Sequence, residues 1–297
     1  MRKLSIVMVL ALCASSAFAQ RVTTKDGRQI LPEAGDWSIA IDANPFLNYF
    51  GNFIGGVDAN TAPSWSYLTN NQTITGRYFV TDDMAYRGSL RLGFTSSSTT
   101  VMVRDRSVAA APSYPELPEM VENKASSGST NIALSGGMEW RKGDGRLQGI
   151  YGGELGIGLT SSSTSYEYGN DLDPTGTNPV FVDADDDFGT GNITNDTYGN
   201  TARVLEDKSG ASFGIGVRGF VGAEYFLLPK LSLGGEFGWG LVFSTSGSST
   251  TTLESTDGSI VGEQELEGSK SSGFGIDTDN VNSIFGPIGA LRVAFYF

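Results

Sequence analysis

The chain has 297 residues, 33 acidic and 20 basic, for a formal net charge of −13, with 40 glycines, one cysteine and no histidine. Without imidazole, Ser-His-Asp triads, Cys-His dyads and histidine-ligated zinc or haem are excluded, and an enzyme is not expected. The acidic balance argues against nucleic acid as a partner.

The N-terminus reads Met1-Arg2-Lys3, an apolar run from Leu4 to Leu12, and small residues ending Ala17-Phe18-Ala19. A charged start, a short apolar middle and an A-x-A site predict a secretory signal peptide over residues 1–19. A lipoprotein signal at Cys13 is the weaker reading, because Leu12 is larger than the small residue such sites use. Removing Arg2 and Lys3 moves the net charge from −13 to −15. Residues 20–34 carry no strand pattern and are expected to form a periplasmic strap. No later stretch is long and apolar enough for a membrane helix.

From residue 35 to the end, the sequence repeats a period-two pattern. Trp37, Ile39 and Ile41 alternate with Ser38, Ala40 and Asp42, and seven further segments do the same, beginning near Ile74, Tyr86, Ile132, Leu147, Phe213, Leu231 and Leu291. Eight alternating segments of about ten residues have the length of tilted membrane-spanning strands. The connections alternate too. Thr81-Asp82-Asp83-Met84, Gly143-Asp144-Gly145-Arg146 and Leu227-Leu228-Pro229-Lys230 are tight turns, whereas the other connections are long and rich in Gly, Ser, Thr, Asn and Asp. That asymmetry predicts an all-β, eight-stranded antiparallel up-and-down transmembrane β-barrel with long extracellular loops and periplasmic turns.

The faces opposite the apolar sets carry Asp42, Glu139, Glu154, Glu224 and Glu236 against Arg77, Arg87, Arg91, Arg218 and Arg292. Eight strands enclose an interior that side chains can fill. These charges are therefore expected to pair across the lumen and close it; a polar permeation path is the alternative. Trp37, Tyr78, Tyr86, Trp140, Tyr225 and Phe297 near the turn ends, and Phe94, Phe213, Trp239 and Phe243 near the loop ends, are expected to form interfacial girdles.

The ending Ala290-Leu-Arg-Val-Ala-Phe-Tyr-Phe297 resembles the last strand of bacterial outer-membrane β-barrels. The hairpins over 76–87 and 222–233 are similar to those of small OmpA/OmpX-like barrels and of uncharacterised barrels from Bacteroidota envelopes. The resemblance implies an outer-membrane location, contact with lipid and lipopolysaccharide, and recognition of Phe297 by the barrel-assembly machinery. It implies no cell-wall tether, since no peptidoglycan-binding domain follows Phe297.

Other motifs are weak. Gly214-Ile-Gly216-Val-Arg-Gly219 matches a nucleotide-loop pattern, but strand alternation follows it and no helix does. Asp183, Asp185 and Asp187 begin like a calcium loop, but Phe188 stands where glycine is required and Thr194 where the bidentate glutamate is required. A solvated acidic loop is the plainer reading, and no cofactor is expected. Asn44, as N-cap, and Pro45 open a short amphipathic helix with apolar residues at 46, 50, 53 and 57. The third and fourth long loops hold 10 and 7 acidic residues against 2 and 1 basic ones. The expected function is a structural or interaction protein of the envelope, with other envelope proteins as candidate loop partners; a narrow porin-like diffusion channel is the alternative.

Overall fold

The computed structural model describes residues 29–56, 73–108, 113, 115–143, 145–276, 284–285 and 289–297. The expected signal peptide and the first part of the strap lie outside these residues.

Period-two alternation becomes a single antiparallel sheet of thirteen strands among the described residues. Eight of them form a ring: β1 (Trp37–Asp42), β2 (Ile74–Thr81), β3 (Met84–Arg104), β4 (Met120–Lys142), β5 (Leu147–Glu167), β8 (Ser212–Leu228), β9 (Leu231–Ser246) and β13 (Gly289–Tyr296). Each pairs with the next, and β13 pairs back to β1 with Ile39 opposite Phe295 and Asp42 opposite Arg292. Closure satisfies the ladder hydrogen bonds that an open sheet would leave at its edges.

The strands are not of equal length. β3, β4 and β5 run 21, 23 and 21 residues, against 6 for β1 and 8 for β2 and β13. Apolar alternation marks only the lower part of the long strands. Above it, Ser and Thr such as Thr95, Ser129, Ser127 and Thr164 continue the ladder and bond across strands. The expectation of uniform ten-residue strands fails here because hydroxyl-rich β-structure has no apolar signature.

The long connections, which carry no apolar alternation, are themselves partly β-structure. They contain β6 (Ile193–Asn195), β7 (Thr201–Lys208), β10 (Thr250–Thr256), β11 (Val261–Glu267) and β12 (Ser271–Ile276). β7, β10 and β11 extend the sheet outward from β5, in the order β5-β7-β10-β11. Tyr166, Ala202, Val204 and Leu253 form a second core there, packed by Tyr168 and Phe188. The helix is present as α1 (Asn44–Gly55), but its N-cap is Ala43, with no side-chain cap, so Asn44 begins the helix rather than capping it. Its Phe50, Phe53 and Ile54 are exposed.

At the turn end of the ring, Ile30 is buried with Ala40, Phe79, Ala85, Phe226, Ala294 and Tyr296. Backbone bonds fasten the adjoining segment: Gly35 N donates to Phe79 O at 2.8 Å and Ala34 N to Asp82 Oδ1 at 2.9 Å, while Lys230 pairs with Asp36. One close approach demands glycine: a Cβ on Gly152 would lie 2.1 Å from Met138 O and 2.6 Å from the Phe220 ring. The Phe220 ring in turn lies 4.3 Å beneath the Arg87 guanidinium.

Because Ile30 is the segment's fully buried anchor, Ile30→Ala is expected to destabilise the refolded protein by about 2–4 kcal/mol in urea titration.

Candidate functional site

Side chains alternate, so the face that turns Leu, Ile and Phe outward turns polar groups inward. On β2 and β3, Ile74, Tyr78, Tyr86, Leu90, Leu92 and Phe94 are exposed, while Arg77, Arg87 and Arg91 are buried. On β8 and β9, Val217, Val221, Phe237 and Trp239 are exposed, while Arg218, Glu224 and Glu236 are buried. The outward aromatics pair: Trp37 with Tyr78 at 4.8 Å, Trp140 with Tyr151 at 6.0 Å, and Phe237 with Trp239 edge-on at 4.6 Å.

Inside the ring the charges meet across it. Arg87 reaches Glu236 at 2.5 Å, and Glu139 and Glu154 each at 3.6 Å. Arg218 bridges Glu154 at 2.8 Å and Glu236 at 2.7 Å, and Arg292 reaches Glu236 at 3.2 Å. Arg77 lies 3.0 Å from Glu139 and 3.3 Å from Glu224. With Arg141 of β4, which joins Glu139 and Glu224, five arginines and four glutamates form one continuous cluster fed by seven of the eight ring strands. The eighth strand, β1, places buried Asp42 opposite Arg292 in the ladder. Arg91 is buried farther along β3, opposite Ala133.

Several members of the cluster have weak sequence signals. Arg141 holds Glu139 at 3.0 Å and Glu224 at 2.6 Å, and the Tyr296 hydroxyl donates to Glu224 at 2.7 Å while accepting from Arg141 at 2.8 Å. Ser232 also donates to Glu224. Arg141 continues the inward parity of Glu139 by two residues, which is the signal that extends β4 past Trp140. Phe79, Phe226 and Tyr296 are aromatics on the inward parity, flanking Arg141 with cation–π contacts of 4.8, 5.9 and 5.5 Å to their ring centres. Removing one partner from such a buried set costs about 3–5 kcal/mol, because it strands the others without water.

At the loop end, the three aspartates of the calcium-loop pattern are used locally. Asp183 accepts from Asp185 N at 3.2 Å at the start of a 3-10 turn, and Asp187 accepts from Gly189 N at 2.8 Å. Asp185 is exposed, and no group of three carboxylates converges among the described residues. The central group is Asp186, fully buried and bound by Arg106 at 2.7 Å, with Arg203 at 3.8 Å. Arg203 also holds Glu254 at 2.6 Å and stacks over Tyr168 at 4.3 Å. Burial pushes the Tyr168 phenol up to about 12, against the opposing effects of a hydrogen bond from Asn192 and of Arg203. Burial of Asp196 raises its pKa, but hydrogen bonds from Asn200, Ser255 and the backbone of Asn200 and Tyr198 outweigh it and hold the carboxyl at about 2.

No protein family matches the sequence, and no curated protein does. The fold is similar to the crystal structure of the outer membrane protein OprG from Pseudomonas aeruginosa, at 10% identity and a TM-score of 0.28, over 90% of this chain and 98% of that one.

A carboxyl whose folded pKa lies below its unfolded value stabilises above the unfolded value, and that contribution is lost as pH falls toward the folded one. The turn at 196–200 is therefore expected to hold at pH 5 and to loosen between about pH 4 and pH 2. Amide hydrogen exchange at Tyr198 and Asn200 checks this, and Asp196→Asn should flatten the dependence.

Proposed function

We propose that this chain is an outer-membrane β-barrel of a bacterial envelope that serves as a structural and interaction protein, with its lumen closed by paired charges and its acidic loop-end sheet presented outside the cell. The observation that carries the reading is the sidedness of the ring: aromatic and aliphatic side chains are exposed around its outside, while eight of the ten inward charges named from the sequence join one buried cluster. A water-soluble sheet would place those groups the other way round.

In this reading residues 1–19 direct export, the strap and tight turns lie in the periplasm, and the exposed Phe297 is the terminal residue met by the barrel-assembly machinery. Outer-membrane lipid contacts the aliphatic belt. Lipopolysaccharide surrounds the Ser/Thr-rich parts of β3, β4 and β5, and envelope proteins are the candidate partners of the loop-end sheet. The third and fourth long loops, of which the sheet is part, carry most of the chain's excess negative charge, which favours divalent cations over polyanions at their surface. No catalytic role is assigned, since the chain lacks histidine and the inward glutamates are engaged by arginine.

In planar bilayers the refolded protein is expected to show no discrete, stable openings. Discrete openings that Arg292→Glu abolishes would overturn the closed lumen and favour a narrow porin-like diffusion channel.

A further inference from the structure

One column of the ring is interrupted. β12 pairs with β9 over Leu241–Ser246 and β13 pairs with it over Leu231–Phe237, so both run antiparallel to β9 along one line, and neither ladder includes Gly238, Trp239 or Gly240. Among the described residues between β12 and β13, two side chains point inward. Ile284 and Phe285 are 6% and 2% exposed and pack against Ala133 and Val242.

The wall facing them is built of glycine. Gly156-Ile157-Gly158 on β5 pairs with Gly214-Ile215-Gly216 on β8, both isoleucines outward and all four glycines inward. A Cβ on Gly156 would lie 2.6 Å from both Ile284 Cγ2 and Phe285 Cε1. On Gly158 it would lie 3.0 Å from Ile284 Cγ1, on Gly214 2.9 Å from Ile284 Cδ1, and on Gly216 3.0 Å from Phe285 Cε2. Strand interiors disfavour glycine unless something approaches closely. Here the same pair of side chains is the nearest group at Gly156, Gly158 and Gly214, while at Gly216 it follows Leu241 O and Val242 Cγ2, both at 2.7 Å.

The recess also adjoins the charge cluster. Glu154 is the next inward residue to Gly156 on β5, and Arg218 the next to Gly216 on β8, and these two form an ion pair at 2.8 Å. We infer that the glycine recess is an apolar binding site inside the ring whose ligand is the chain's own Ile284–Phe285 pair, seated as a stopper that keeps water from the loop end of the Arg218–Glu154 pair. The inference is separate from the choice between scaffold and pore, because it concerns where one side-chain pair sits.

Thiol chemistry reads that seat directly. Cys13, the one cysteine, lies in the expected signal peptide, so the mature chain carrying Phe285→Cys has a single thiol. A small charged methanethiosulfonate is expected to label it at least ~10-fold more slowly than Tyr198→Cys, whose parent side chain is 85% exposed. Adding Gly156→Val should fill the recess, expel the pair and raise the rate toward the exposed value, with the circular dichroism spectrum unchanged. If Phe285→Cys labels as fast as Tyr198→Cys, or if folded Gly156→Val leaves the rate unchanged, the inference fails. Should Gly156→Val not fold, the Gly158→Cys/Ile284→Cys pair decides: mild oxidation closes a disulfide if the stopper is seated, and two free thiols overturn it.

Discussion

The ring depends on one arrangement, a buried cluster in which four of the five arginines each bridge carboxylates from different strands. Glu236 alone receives Arg87, Arg218 and Arg292, from β3, β8 and β13. Such a cluster is not a strong source of net stability, since ions lose their water on burial. Its force is in exclusion. A one-residue register slip would turn these charges outward and the Leu, Ile and Phe residues inward, leaving every ion without a partner. The network therefore specifies register across seven of the eight ring strands, while the backbone ladders supply closure.

The interior is layered along the ring axis. Ile30, Phe79, Phe226 and Tyr296 form an apolar floor at the turn end, and Tyr296 joins it to the ions through its hydroxyl. The charge cluster lies above, and Ile284 with Phe285 covers its loop end. Apolar layers above and below lower the local dielectric, which strengthens the pairs they enclose and raises the cost of breaking one. Beyond the ring, the loop-end sheet repeats the same device on a smaller scale: buried Asp186 is held by Arg106 and by Arg203, which stacks on Tyr168 at the Tyr166, Val204 and Leu253 core.

The sheet's main features were legible in the sequence where a residue type had to alternate. Trp37, Ile39 and Ile41 against Ser38, Ala40 and Asp42 is a pattern with one solution, and the tight turns at Asp82-Asp83 and Pro229-Lys230 fixed which ends are joined closely. The inward charges were legible for the same reason. The upper halves of β3, β4 and β5 were not, because Ser and Thr on both faces give no periodicity. Asp186 was overlooked in favour of Asp183, Asp185 and Asp187, since in an acidic run only the fold decides which carboxylate is buried. Gly214 and Gly216 stood out only as part of a weak nucleotide-loop match and Gly156 and Gly158 not at all, since their purpose depends on a distant pair, Ile284–Phe285, that no local pattern connects to them.

A double-mutant cycle on Arg87 and Glu236 tests the central claim most directly. Arg87→Met, Glu236→Leu and the double variant would be compared with the parent by urea unfolding in one lipid or detergent system. If the buried network specifies the ring, the pair couples by more than about 1.5 kcal/mol, and the double variant loses much less than the two single losses combined. Losses that add to within about 0.5 kcal/mol would contradict the account, because the two groups would then act independently and the network would not hold the strands in register.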